Sequence, residues 1–254
     1  MMGHTHALTG AATWLATIPL VTDHGLLGDY AVTLSPAQVA AGTLVCAGAA
    51  MLPDIDHHDG TIANTYGVVT QLLCKVVGKI SGGHRHATHS LAFAIGAGFA
   101  THWMASHAFN PPHGNQPSPV VVVGWWVMLF LVVGLGLRGI GIGFKDNDHF
   151  TGLLNAVLAV ALVYLMRHLD MRFVGYAVVL GCVAHVVGDC LTPQGCPVFW
   201  PAPWRIGVPL VPRTNGTVER WVVTPVITVI ILILAVRSAL GDMATDWLTT
   251  GHAG

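Results

Sequence analysis

The sequence predicts an all-α, polytopic membrane bundle of about seven apolar helices, five clear and two short, with a polar site at one set of helix ends. Hydrophobic residues fill 53% of the 254 positions and charged residues only 9%, whereas a soluble domain carries charge at about a quarter of its positions. Mean hydropathy is +0.64. Uncharged apolar runs recur at lengths near the roughly 20 residues that cross a hydrocarbon layer. Together these exclude a soluble globular enzyme. The formal net charge of -1, with no basic face, also excludes a nucleic-acid binder held by phosphate contacts.

Taken in order, the apolar runs fall near 7–21 and 37–52, both short and rich in Ala, Gly and Thr, then near 88–108, 119–137, 150–166, 173–190 and 222–240. The first two read either as crossing helices packed inside the bundle or as a pair that dips in and returns. Both readings put the N-terminus on the side of the 53–87 connection. The chain opens Met1-Met2-Gly3-His4-Thr5-His6 without a basic stretch, so no cleaved signal is expected. Lys75, Lys79, Arg85, Arg138, Lys145, Arg205, Arg213 and Arg220 lie on that side, and Arg167, Arg172 and Arg237 on the other. This bias orients the N-terminus and the site toward the cytoplasm. No repeat or linker divides 1–254, which reads as one integral-membrane domain. The connections 53–87 and 191–221 are long enough for short helices or turns, and 109–118 reads as a structureless turn in which His113 is idle. The odd number of cysteines, 5, reads as reduced packing residues rather than a disulfide framework.

Histidine is the unusual entry, 15 against 11 Lys and Arg together. His4 and His6 precede the first helix; Asp54, Asp56, His57, His58 and Asp59 follow the second, where Pro53 stops it. His84, His86 and His89 open the third, His149 the fifth; His185 and Asp189 close the sixth, and Glu219, the sole glutamate, precedes the last. All fall on one membrane side, so a shared site is the economical account. His102 and His107 lie inside the third helix as packing residues, although an intramembrane histidine always merits a functional question. His24, His168 and His252 fall on the other side.

The chemistry fits metal ligation. Asp54 and Asp56 stand two apart in a turn, a glycine hinge at Gly82-Gly83 delivers imidazoles around Arg85, and His185-x-x-x-Asp189 stacks an imidazole over a carboxylate on one helix face. Taken singly, each is more often a cap, a turn or a solvated edge than a ligand set; it is their convergence that points to metal. Mixed His and Asp donors suit zinc or a similar divalent ion in a catalytic rather than structural site. The expected ligands are His6, Asp54, Asp56, His84, His89, His185 and Asp189, enough for two ions. Arg85 would hold a phosphate or carboxylate oxygen or, alternatively, anionic lipid headgroups. Glu219 would be a general base or further ligand, or else a helix-start acid favoured by the macrodipole.

At Thr5-His6 with Gly10, Leu52-Pro53-Asp54-Ile55-Asp56-His57, His84-Arg85 with Thr88-His89-Ser90-Leu91, and His185-x-x-x-Asp189 leading into Leu191-Thr192-Pro193-x-Gly195 and Trp200-Pro201, the chain resembles the YdjM-like family of bacterial inner-membrane proteins described as metal-dependent hydrolases. These stretches run in order from 5 to 201. The resemblance implies a multi-pass protein of the bacterial inner membrane with a hydrolytic metal site. That family is in turn remotely similar to zinc-dependent phospholipases C and single-strand nucleases, which implies phosphoester hydrolysis. The single H-x-x-x-D pair and the lack of a free N-terminal tryptophan set this sequence apart from those enzymes, and favour two ions over three.

Two ions about 3.5–4 Å apart would activate water and clamp the oxygens under attack. Phe199-Trp200-Pro201-Ala202-Pro203-Trp204 is a headgroup-depth signal, so the expected partners are membrane lipids and a lipid-like substrate, an amphiphilic ester or phosphoester. The rival class is a divalent-cation transporter, whose site would lie near the bilayer midplane. A membrane di-iron oxidase would want denser histidine pairs than His86-x-x-His89 supplies.

Overall fold

Ser35-Pro36-x-Gln38 is a helix-start signature, and in the computed structural model of the chain it forms a capping box. Gln38 N donates to Ser35 Oγ at 3.3 Å and Ser35 N to Gln38 Oε1 at 2.8 Å. The structure describes residues 2–109, 116–142 and 149–250 and, within these, the side chains of all but 149 and 240–250. The expected turn with His113 therefore falls largely outside the described residues, as does the side chain of His149.

The helices are α1 (Gly3–Val21), the short α2 (His24–Leu27), α3 (Pro36–Ala49), α4 (Val68–Ile80), α5 (Leu91–Phe109), α6 (Pro119–Gly139), α7 (His149–Met166), α8 (Val174–Cys190) and α9 (Thr224–Thr250). All seven expected apolar segments are helical, as α1, α3 and α5 to α9. No strand occurs among the described residues; one antiparallel bridge, Cys196 with Ile206, pins the long connection before α9. Two boundaries differ from the sequence reading. His84 and His86 lie in the loop ahead of α5, as the 53–87 connection implies, but His89 ends a 3-10 turn (Ala87–His89) instead of standing on the helix, because Ser90 caps the helix by accepting from Phe93 N. In the 53–87 connection the thirteen-residue α4 forms, beyond the short helix or turn that its length allowed.

Span lengths also sort differently. Among the described residues, Pro36–Asp56, Pro119–Gly139 and Glu219–Ala239 are long and apolar enough to cross a membrane. The first is one of the segments read as short; the 3-10 turn Leu52–Asp56 extends it beyond α3. The apolar stretches of α7 and α8, 150–166 and 174–190, reach about 26 Å at 1.5 Å per residue, a little under a hydrocarbon core of about 30 Å. In α8 the run ends with the helix at Cys190, one residue past Asp189.

Helix α3 is the hub, packed on α1, α6 and α8. Small residues make this possible. A Cβ on Gly42 would fall 2.3 Å from Trp14 Cε2, and that fully buried indole donates to Val39 O at 3.0 Å. Outward faces stay apolar, as at Phe99, Leu153, Val160, Leu165, Leu232 and Ile233. Such a surface is a liability in water and the ordinary exterior of a bundle whose solvent is lipid. The packing fixes α1, the end of α3, the start of α5 and the end of α8 around one point.

Candidate metal centre

The 3-10 turn at Leu52–Asp56 is the lip of the site. Pro53 lacks an N–H and blocks continuation of α3, so the chain tightens there and presents Asp54 and Asp56 past the helix end. From the facing loop, Gly82 and Gly83 at φ 88° and 108°, with Arg85 at φ 59°, turn the backbone sharply. A left-handed arginine costs about 1 kcal/mol or more. The turn is held by Arg85 N donating to Asp56 Oδ2 at 3.0 Å and by Arg205 Nη1 donating to Arg85 O at 3.3 Å.

Four donor atoms face one another at the centre. His89 Nε2 and His185 Nε2 are 3.2 Å apart. Asp54 Oδ1 lies 3.5 Å from His89 Nε2 and 3.7 Å from His185 Nε2, while Asp189 Oδ2 lies 3.7 Å and 3.8 Å from the same nitrogens. Donors at the 2.0–2.2 Å typical of zinc sit about 3.3–3.6 Å from one another in a tetrahedron. The observed spacings are close to that cage.

The atoms behind the cage fix its chemistry. His185 Nδ1 lies 2.7 Å from Ala50 O, an acceptor only, so that nitrogen carries the proton and Nε2 keeps its lone pair. His89 Nδ1 lies 3.4 Å from Asp56 Oδ2 and 3.1 Å from Thr88 Oγ1, and Thr88 Oγ1 itself donates to Asp56 Oδ2 at 2.5 Å. A carboxylate behind an imidazole is the arrangement that orients histidine toward a cation. Two imidazole nitrogens held this way face each other unfavourably unless a proton or a cation lies between them.

Charge points the same way. Asp54, Asp56 and Asp189 meet one guanidinium, Arg85, whose Nη2 is 2.8 Å from Asp189 Oδ2. Three carboxylates gathered around this guanidinium make a largely buried place rich in negative charge, which a bound cation or a protonated imidazole would offset. Burial opposes a charge on His89, in the turn before α5, but its hydrogen bonds to Asp54 and Asp56 outweigh this and push its pKa up to about 9. The site attracts positive charge.

All seven expected ligands are therefore brought together, in different positions. Asp54, His89, His185 and Asp189 face the centre. Asp56 stands behind His89 and bonds His84 Nδ1 at 2.9 Å. His6 stands beside Asp189, Nε2 to Oδ1 3.2 Å, with its ring stacked on His185 at 3.8 Å between centroids. Two adjacent groups with no residue in common could each hold an ion: Asp54, Asp56, His84 and His89, and His6, His185 and Asp189; the four-donor centre draws two residues from each. His6, His89, His185 and Asp189 are buried, whereas the side chains of Asp54 and His84 are 27% and 37% exposed. The mouth is on their side.

Arg85 reaches the same place. Besides Asp189, its Nη1 donates to Thr192 Oγ1 at 3.2 Å, and its buried Nε has no hydrogen-bond partner among the described residues. Glu219 is engaged differently from the general base or ligand expected. Fully buried, it accepts Met2 N on Oε1 at 2.6 Å and Asn215 N on Oε2 at 2.7 Å. It thereby ties the start of α1, where orphan amides need acceptors, to the loop before α9. Glu219→Gln should lower thermal stability by about 1–3 kcal/mol by turning an amide group toward a main-chain N–H, and leave bound metal unchanged in elemental analysis. Outside the cluster, His4 Nδ1 lies 2.8 Å from Gly139 O, and His107 stacks on Trp103.

Four roles escaped the sequence reading, which had Thr88 and Thr192 only as motif residues and Arg205 only as a basic residue: the Ala50 carbonyl behind His185, Thr88 as an orienting hydroxyl, Thr192 as a partner of Arg85, and Arg205 as a tie to the Arg85 carbonyl. Thr88 had a signal, its place beside His89. A main-chain carbonyl has none.

The comparisons with known proteins agree with the membrane bundle. A family model described as YdjM inner membrane protein matches residues 1–139 and 151–245, and the chain belongs to that family. Inner membrane protein YdjM of Escherichia coli strain K12 and its counterpart in Shigella flexneri are each 35% identical over 78 residues, 29% of this chain and 40% of theirs. The alignment thus spans less than half the length of these relatives. No solved structure matches.

Proposed function

We propose that this member of the YdjM inner membrane protein family is a membrane-embedded, metal-dependent hydrolase acting on a phosphoester or ester of an amphiphilic, lipid-like substrate. The observation that carries the reading is the convergence of His89 Nε2 and His185 Nε2 at 3.2 Å between Asp54 and Asp189, with each imidazole backed by an acceptor. Asp54, His89, His185 and Asp189 would hold zinc or a similar divalent ion. Asp56 and His84, sharing Asp54 and His89, offer the donors for a second. The metal would supply Lewis acidity for activating water and polarising the ester.

The protein's own groups supply orientation. Asp56 and the Ala50 carbonyl lock the two imidazoles. Arg85, fixed by Asp189 and Thr192, keeps Nε as a buried donor for a substrate oxygen and balances charge building on it. A lipid-like substrate is supported by the exposed Phe199, Trp200 and Trp204. Their loop is pinned to the cluster through Leu91 N to Val198 O at 3.0 Å and Arg205 to Arg85 O. Exposed tryptophans there suit headgroup depth, and the open Asp54 and His84 edge is where an ester would enter.

Cation transport, the rival reading, fits less well. A transport site sits near the midplane between broken helices, whereas His6 is in the first turns of α1 and Asp189 in the last turn of α8.

The test is elemental analysis of detergent-purified protein joined to a hydrolysis screen on phospholipids and polyprenyl phosphates. At least one divalent ion per chain and turnover of an amphiphilic ester are expected. Arg85→Lys should keep the ion and lose roughly 10²–10³ in turnover, as when a charge-stabilising donor is removed. Protein free of divalent metal overturns the reading; metal without turnover on any ester class leaves a binding protein instead.

A further inference from the structure

We propose that α4 is an interfacial anchor lying in the surface of an anionic lipid leaflet, where it sets the depth of the acid and imidazole cluster in the membrane. The helix is inverted relative to one that meets water. Val69, Leu72, Leu73, Val76 and Ile80 are exposed, while the residues buried against the protein are Thr70 and Cys74. Thr70 Oγ1 donates to Ala63 O at 2.8 Å, so the inward face is satisfied and the outward face is apolar. Spaced at 100° per residue, these five positions form one continuous stripe, and Lys75 and Lys79, both exposed, lie along one edge of it with the exposed Val68 of the first turn between them. An apolar face rimmed by lysine is the pattern of a helix seated at the headgroup boundary.

Its place in the fold selects the occupant. With 13 residues, α4 is about 20 Å long and cannot span. It packs on the 3-10 turn that ends the Pro36–Asp56 span, so closely that a Cβ on Gly78 would stand 2.7 Å from Asp56 O. The apolar face therefore sits at the end of a spanning segment, where lipid headgroups begin. Trp204 and Trp221, exposed by 71% and 76%, belong to the connection pinned to the same cluster and mark the same boundary. The two lysines match phosphate-bearing, anionic lipid, each adding attraction near such a surface. Because Gly78 rests on the main chain of Asp56, the seating of α4 fixes where Asp56, and the His89 it orients, lie relative to the headgroups. The exposed stripe, its lysine edge and the seating on Asp56 would anchor α4 in this way whether or not the cluster hydrolyses anything.

The experiment uses the full chain in vesicles of phosphatidylcholine with or without phosphatidylglycerol. A fluorophore is attached at Leu72→Cys or Val76→Cys, with Asp59→Cys, exposed and polar, as the water-facing reference. Four of the native cysteines are buried and Cys190 half-buried, and the unmodified chain supplies the background. Doxyl-labelled lipid should quench the fluorophore at 72 and 76 but not at 59. Quenching should favour labelled phosphatidylglycerol, with that preference falling roughly fivefold for each of Lys75→Gln and Lys79→Gln. Val69→Cys and Ile80→Cys, on the same stripe, serve if either first variant misfolds. Positions 72 and 76 behaving like 59 would overturn the anchor. Quenching that disappears as the protein-to-lipid ratio rises would assign the face to a second copy instead. A lipid preference indifferent to the lysines would overturn the anionic part.

Discussion

Gly48→Val should prevent recovery of a folded, monodisperse bundle. A Cβ at position 48 would stand 1.9 Å from Val132 O, 2.8 Å from Val132 C and 2.9 Å from Gly136 N, all main chain of α6. No rotamer change relieves a clash with backbone, so α3 and α6 must move apart. The separation cannot stay local, because α3 is gripped on its other sides too. Cβ atoms on Gly10 of α1 and Gly181 of α8 would each lie 2.5 Å from Cys46 O. Overpacking against side chains typically costs 1–3 kcal/mol; here the neighbours are helix backbones, and the loss should exceed about 3 kcal/mol. Size-exclusion profile and thermal melt in detergent read the outcome. Gly96→Val on α5, where a Cβ meets nothing within 4 Å, is the matched control and should stay folded. If Gly48→Val melts like that control, α3 is not the close-packed hub.

The helices were legible because lipid leaves a coarse signature. A chain with 9% charge has little polar surface to place, and each uncharged run had to be a helix to satisfy its main chain. The cluster was legible for the complementary reason. Asp54, Asp56, His185 and Asp189 are costly beside hydrocarbon, so finding them at the ends of separate runs implied one shared destination. What the sequence withheld is of two kinds. Helix α4 hides because Lys75 and Lys79 interrupt its apolar residues, and a search for uncharged runs passes over a 3.6-residue stripe. The division of labour within the cluster hides because it depends on which nitrogen faces which acceptor. Nothing in His-x-x-x-Asp says that His185 Nδ1 takes the Ala50 carbonyl, nor does the acidity of Glu219 say that both its oxygens serve main-chain amides.

Asp56→Asn should separate an orienting carboxylate from a mere structural tie. Asp56 accepts from Thr88 Oγ1, from Arg85 N and from His84 Nδ1, and lies behind His89 Nδ1. Asparagine keeps the shape and one acceptor oxygen, but its amide nitrogen must turn a donor toward His84 on one edge or toward Thr88 and Arg85 N on the other. Either way the negative charge behind His89 is gone, and with it the interaction that raises the basicity of the imidazole toward a cation. The variant should fold, and its affinity for zinc should drop by roughly 10–100-fold, read by competition with a chelator. Asp56→Ala goes further. It leaves the Arg85 amide and the Thr88 hydroxyl, both buried, without their acceptor, and deleting one member of a buried charge cluster costs about 3–5 kcal/mol. Its melting temperature should therefore fall even in excess metal, whereas metal restores most of the stability of Asp56→Asn by mass action. Unchanged zinc affinity in Asp56→Asn would mean that His89 needs no carboxylate behind it. The four-donor cage would then lose the argument that aims one of its imidazoles inward.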